Sequence, residues 1–229
     1  MRALRILLIF LVILGGLFVG ADRLAVGLAE DEAAAKIKSA KGLSEQPSVE
    51  IHGFPFLTQV LGKELESVDA TLDGLTVQVG GRDVDVTEVD VALDGVRLEN
   101  NFSSAVAARA TGSARIAYED LTAATGTEGA TVGYAGKERA ARNQVKIDVD
   151  LAVARLTVHS TVSVRNGTTI ALRADDLPGI PVAEDVARGQ IDRELEITGL
   201  PEGLELEKVE VDAEGVVLRL TGTDVTLIG

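Results

Sequence analysis

The pattern of apolar and polar positions changes twice along the chain. Residues 6–21 (ILLIFLVILGGLFVGA) are uncharged and almost wholly apolar, and they follow a short basic stretch carrying Arg2 and Arg5. Sixteen helical residues span about 24 Å, short of the roughly 30 Å hydrocarbon core of a bilayer. Arg5 can snorkel outward, so the run can serve as a tight membrane-spanning helix, in which case Arg2 and Arg5 favour an N-terminus-inside orientation. Val19-Gly20-Ala21, just before Asp22, equally offers the small residues of a signal-peptide cleavage site. Anchor and cleaved leader both stay open, and either places residues 22–229 outside the cytoplasmic membrane. Residues 22–41 read as a helix rich in Ala, Lys and Glu, with Leu24 and Leu28 at i, i+4 and Gly42 as its stop. Pro47 separates it from a short strand at Val49-Glu50-Ile51.

From about residue 66 the period becomes two. Val68, Ala70 and Leu72 alternate with Asp69, Thr71 and Asp73, and Val145, Ile147, Val149, Leu151 and Val153 alternate with Lys146, Asp148 and Asp150. That is the mark of half-buried antiparallel strands. The phase slips between Val153 and Leu156, and again between Val86 and Val89, which predicts bulges in long, curved strands. Three similar segments recur: Val68 to Val77 through Asp73-Gly74, Val89 to Leu98 through Asp94-Gly95, and Val209 to Leu218 through Glu214-Gly215. Each predicts a tight hairpin in which Gly takes a positive φ. Gly80-Gly81 and Asn166-Gly167 add two further turns, and helical pieces are expected near Tyr118–Thr125 and Val182–Arg188. The class is α+β, dominated by an antiparallel sheet.

Charge narrows the function. The chain carries 36 acidic and 22 basic residues, a net charge of −14, and residues 22–229 alone hold 20 basic against 36 acidic residues, a net charge of −16. Such a balance excludes a phosphate-tracking nucleic-acid binder, which needs a basic stripe. With no Cys and only His52 and His159, disulfides, thiolate or His-rich metal sites and cysteine nucleophiles are excluded. A Ser-His-Asp triad would have to use one of those two histidines. Asp148 and Asp150 share a strand face as a glycosidase pair could, but every solvated strand face carries carboxylates. Asp83, Asp85, Glu88 and Asp90 show no cation-binding spacing, and Asn101-Phe-Ser and Asn166-Gly-Thr match the glycosylation sequon. No catalytic residue, metal or cofactor is assigned, and the expectation is a protein that is not an enzyme.

Residues 22–229 have three Phe, and two of them flank Pro55 in Ile51-His-Gly-Phe54-Pro-Phe56-Leu57. The segment reads either as a turn plugging one end of the core, or as an apolar rim at a cavity mouth or membrane surface. Hydrophobic residues make up 46% of the chain and aromatics only 3%, so the apolar mass is Val, Leu, Ile and Ala. Walls of that kind suit an acyl chain, which asks for few polar contacts.

These residues resemble a known family. The apolar N-terminus, the 22–41 helix, Ile51-His-Gly-Phe-Pro-Phe-Leu-Thr-Gln59, the Val68 to Gly74 segment, Tyr118-Glu-Asp-Leu121 and Leu200-Pro-Glu-Gly-Leu204 are similar to an actinobacterial family of exported proteins. That family was long labelled a domain of unknown function and includes a mycobacterial mannosyltransferase-activating, phospholipid-binding envelope protein. Its C-terminal motif more often has an aromatic where this chain has Glu202. The resemblance implies a tubular lipid-binding fold: a highly curved, mainly antiparallel sheet wrapped around a helix and enclosing an acyl-chain groove. It also implies an extracytoplasmic role in envelope lipid or lipoglycan maintenance. The expected organisation is a signal anchor or signal peptide at 1–21 and a single domain at 22–229. The expected partners are a phospholipid or glycolipid, the membrane through the N-terminal helix, and a membrane-bound envelope enzyme, with no nucleic acid. Phe54, Pro55, Phe56 and Leu57 are the candidates for the groove mouth, and Leu72, Leu75 and Val77 for its wall. Arg109, Arg115 and Arg155 are the candidates for a head-group phosphate, since an arginine fork matches its oxygens. An adaptor that touches a membrane enzyme without carrying lipid is the alternative.

Overall fold

The computed structural model describes residues 2–100, 103–125, 129–151, 154–175 and 192–228. One continuous helix, α1 (Arg2–Lys41), carries the apolar run and the segment after it. It ends at Gly42, whose φ of 66° lets Leu43 N–H reach back to the Lys38 carbonyl at 3.0 Å. Strands β1 (Ser48–His52), β2 (Glu64–Val79), β3 (Arg82–Glu99) and β4 (Ser104–Ala117) follow, with the short helix α2 (Phe56–Gly62) between β1 and β2. Helix α3 (Tyr118–Thr125) leads to β5 (Ala130–Tyr134), and α4 (Lys137–Ala140) to β6 (Gln144–Leu151), β7 (Ala154–Arg165) and β8 (Thr169–Asp175). The chain ends with β9 (Arg193–Thr198), β10 (Leu204–Val211) and β11 (Gly215–Ile228).

These strands form one sheet of 11 strands in the order β10-β11-β4-β3-β2-β9-β8-β7-β6-β5, with β1 on the free part of β2's edge. Every pairing is antiparallel. The sheet is nearly closed. Its halves join where Gln78 and Val79 pair with Thr198 and Ile197, and Leu206 N–H on the far edge strand β10 reaches the Gly167 carbonyl of the β7–β8 turn at 2.6 Å. The main core lies between the halves, with Val84, Val86, Ile116 and Leu218 from one side and Val145, Val162 and Ile170 from the other.

Two of the three Asp/Glu-Gly repeats are not hairpins. Asp73-Gly74 and Asp94-Gly95 lie inside the unbroken strands β2 and β3, where Gly74 and Gly95 hold φ of 67° and 60°. Only Glu214-Gly215 turns the chain, because Asp212 accepts the N–H groups of Glu214 and Gly215 at 2.9 and 3.0 Å. The interior repeats are bends. At one level the in–out alternation slips together in four strands, at Glu66-Ser67, Asp94-Gly95, Ala108-Arg109 and Thr223-Asp224, whose members pair across the sheet. Gly95 and Asp224 both sit at positive φ on this line. Facing strands that slip together keep their register and crease the sheet, which supplies the curvature. A second slip pairs Asp73 with Glu88, which includes the expected irregularity between Val86 and Val89.

The slip expected as a bulge between Val153 and Leu156 is instead a chain reversal, since Leu151 pairs with Ala154 and β6 runs antiparallel to β7. Both Gly80-Gly81 and Asn166-Gly167 are turns with positive φ at each residue. Leu24 and Leu28 point away from the fold, each 72% exposed, while Val26 is buried. The helix expected at Val182–Arg188 and the Asn101 sequon lie outside the described residues.

Candidate functional site

Helix α2 and the loop before it are held by contacts that use nearly every residue of Ile51–Gln59. Gly53 has a φ of 96°, which favours Gly, and a Cβ there would push aside the Gln59 amide at 2.5 Å and the Glu66 carboxylate at 2.7 Å. The Gln59 side chain donates to the His52 carbonyl at 3.3 Å and accepts from Glu66 N–H at 2.7 Å, tying β1 to β2. Thr58 Oγ1 donates to the Pro55 carbonyl at 2.8 Å, and the Phe54–Pro55 peptide bond is cis. Pro55 has no polar side chain with which to cap α2. Asp22, arriving from α1, does so instead: its Oδ1 accepts Leu57 N–H at 2.9 Å and its Oδ2 pairs with Arg23 at 2.7 Å. Asp22 is wholly buried. Burial pushes its carboxyl up, but the bonds from Leu57 N–H, Arg23 and Phe56 N–H outweigh that and hold it below the ordinary value of 3.8.

This loop separates the two rings. Phe56 is 6% exposed and packs among Val26 of α1 and Leu65, Leu93, Val96, Ala107 and Ala110, the residues that the crease brings together. Leu57 is half-buried against the same cluster. Phe54 is 59% exposed, with the Arg23 guanidinium 5.3 Å from its ring centre.

Next to the Phe56 cluster the apolar positions of the sheet are only partly covered. Ala70, Val91, Gly112 and Leu220 stand side by side on β2, β3, β4 and β11, and all are only half-buried. Ala70 and Gly112 belong to neither core cluster. Leu75, Val77, Val89 and Ala114 continue the surface as half-buried apolar groups against the main core, and Leu72 is buried. The Leu200–Leu204 motif spans the two clusters. Leu200 packs on the main core and Leu204 on the Phe56 cluster, and Gly203, with a φ of 89°, lies so close to β11 that a Cβ would meet the Thr223 carbonyl at 2.7 Å. What the arrangement offers is a row of half-buried apolar side chains beside the Phe56 cluster.

Arg109 and Arg115 do not join this surface. Arg109 points outward beside Asp94, 3.5 Å away. Arg115 lies between Asp212, Glu214 and Glu88 at 2.7, 3.5 and 3.8 Å. The side chain of Arg155 lies outside the described residues. A shallow hollow of about 560 Å³ is lined by Ala70, Val91, Gly112 and Leu220 together with polar neighbours on the same strands and on β10, among them Asp69, Asp90, Ser113, Lys208, Glu210 and Arg219. Its polar groups are engaged with one another: Asp90 accepts from Thr71 and Ser113, and Glu210 from Arg219. Among the described residues no group of His, Asp and Glu could hold a metal ion. Asp22 and the Ala70–Gly112 row escaped the sequence reading; the only signal was that Asp22 is the first charged residue after the apolar run.

A family model described as LmeA-like phospholipid-binding matches residues 20–221, from the end of the apolar run to the last strand. The chain belongs to that family. The family resemblance drawn from the Ile51–Gln59 and Leu200–Leu204 motifs therefore holds, and both motifs of this family member reach the Phe56 cluster. No match is found among curated proteins. Among solved structures, the di-domain ARO/CYC StfQ from the steffimycin biosynthetic pathway aligns with 90% of this chain and 80% of its own, at 8% identity and a TM-score of 0.17. That score carries no argument.

Proposed function

We propose that the protein is a membrane-tethered, extracytoplasmic phospholipid binder, with residues 22–229 forming one domain and α1 crossing the bilayer with its N-terminus inside. The observation that carries this reading is the row of half-exposed apolar residues, Ala70, Val91, Gly112, Leu220, Val89 and Val77, within a sheet that nearly closes. An acyl chain lies along that row, with Phe54 and Leu57 at the mouth and Leu75 and Val77 on the wall. Each buried CH₂ contributes about 0.8 kcal/mol, so the groove offsets what the chain loses on leaving the bilayer. The protein acts as a binder and not a catalyst, and its bound lipid, a phospholipid or related glycolipid, serves envelope maintenance, including presentation to a membrane-bound envelope enzyme. Membership of a phospholipid-binding family supports the cargo class.

Native mass spectrometry of residues 22–229 purified without detergent, followed by organic extraction, tests this. A stoichiometric adduct in the phospholipid mass range is expected, and V77E/L220E is expected to lose it. A clean apo mass with no uptake from added liposomes overturns the groove and favours the adaptor.

A further inference from the structure

We infer that the domain makes a second contact with the bilayer beside α1, through the exposed apolar side chains of Phe54 and Leu61. This inference rests on the placement of α1 across the membrane proposed above. Among the described residues after Leu28, the large hydrophobic side chains left exposed are Phe54 at 59%, Leu61 at 84% and Tyr134 at 37%. The first two share the α2 loop. That loop is bolted to the first two residues after the apolar run, through the Asp22–Leu57 hydrogen bond of 2.9 Å and the 5.3 Å approach of Arg23 to the Phe54 ring. At 1.5 Å of rise per residue, the latch holds Phe54 within a few ångströms of the level at which α1 leaves the hydrocarbon.

The flanking charges fit an interface. Arg23, paired with Asp22, and Lys63 are both exposed on this segment of a domain that is otherwise strongly acidic, and the Glu66 carboxylate lies against Gly53. A membrane interface accepts two apolar side chains flanked by the cation of Lys63 in this way. Two side chains are far too little for a stable protein interface, which buries about 800 Å² on each partner. The occupant is therefore the lipid surface. The consequence is orientation: a single helix leaves the domain free to rotate, whereas a second contact turns the groove mouth toward the leaflet that supplies its lipid.

The chain contains no Trp, so one introduced Trp is a clean reporter. Full-length L61W and Y134W are reconstituted in phosphatidylcholine/phosphatidylglycerol vesicles with or without bromine on the acyl chains, and only protein that floats with the vesicles after an alkaline wash is measured. Trp at 61 is expected to lose emission intensity in the brominated vesicles and to shift to the blue, and Trp at 134 to do neither. F54W is expected to behave as L61W does. Absence of loss at both 54 and 61 overturns the inference, and so does equal loss at 134, which would mean that the whole domain lies down. Failure to float removes the anchor and the inference with it. Leu61 is exposed on the outside of α2, so lipid inside the groove does not touch it. The mass of co-purified lipid then reports on the groove separately, and either reading can fail while the other stands.

Discussion

Phe54 and Phe56 stand two positions apart with a proline between them, yet their replacement by Ala should have opposite consequences. Phe56 is 6% exposed and touches a cluster drawn from α1, β2, β3, β4 and β11. Burying such a ring is worth about 1.5–3 kcal/mol by transfer alone. The cavity left by F56A cannot collapse easily, because its walls come from separate elements held by sheet pairing, so the expected loss is about 3–5 kcal/mol. Phe54 is 59% exposed and contributes through its contact with Arg23, worth about 0.5–1 kcal/mol at an exposed site. With a urea dependence of about 2–3 kcal/mol/M, F56A should lower the unfolding midpoint by more than about 1 M, and F54A by about 0.3 M. The assay is urea unfolding of the full chain in detergent micelles, followed by far-UV circular dichroism of the sheet. F54A should keep its fold. Equal destabilisation by the two substitutions would refute the division of the loop into a core plug and an exposed rim.

Other expectations follow from individual groups. Ser160 is wholly buried and its hydroxyl finds no hydrogen-bond partner among the described residues, so S160A should raise stability by about 1 kcal/mol in the same assay. A Cβ on Gly74 would meet nothing nearer than the Ser44 hydroxyl at 4.0 Å and has only its φ of 67° to satisfy, so G74A should cost about 1 kcal/mol. G222A drives a Cβ to 2.3 Å from the Gly203 carbonyl and should cost about 3 kcal/mol; similar melting temperatures for the two would argue against the crease. For Asp212, burial raises the carboxyl, but bonds from Arg115 and from Glu214 and Gly215 N–H outweigh it and hold it below 3.8. Its contribution is therefore present above that value and lost as pH falls through the depressed one. Acid unfolding monitored below pH 3.8 should be less steep in R115Q, by a modest amount because the pair is partly exposed. Tyr118 is pushed up to about 12 by burial and then by Asp212 and Tyr134. Its contribution holds below its ordinary value of 10.0 and disappears as pH rises toward 12, and Y118F should remove that alkaline loss.

The largest gain for the domain is the agreement between the family motifs and their places in the fold. Gly53, Thr58 and Gln59 fasten the α2 loop to β1 and β2, and Leu200 and Leu204 pin the two clusters together. Most side chains of these motifs thus serve to hold the fold together, which accounts for so specific a pattern in structural terms.

By itself the amino-acid sequence determined everything that depends on neighbours a few residues away. The apolar run of 6–21, the helix that continues it to Lys41, the stop at Gly42, the period-two strands and the turns at Gly80-Gly81 and Asn166-Gly167 were all legible. Such features follow from side-chain period and from which residues tolerate a positive φ. Only the tertiary structure decided what the same local signals meant at a distance. Asp94-Gly95 and Glu214-Gly215 look alike in sequence, yet one bends a strand and the other reverses the chain. The difference lies in the pairing partners: β3 stays zipped to β2 and β4 on both sides of Gly95, whereas Asp212 folds the chain back at Gly215. Asp22 reads locally as the edge of an apolar segment, and Phe54 and Phe56 as equivalent rings. Burial sorts them, because α1, α2 and the creased sheet converge on Phe56 and Asp22 and leave Phe54 outside. Burial is a property of chains brought together from far apart, and no window of neighbouring residues contains it.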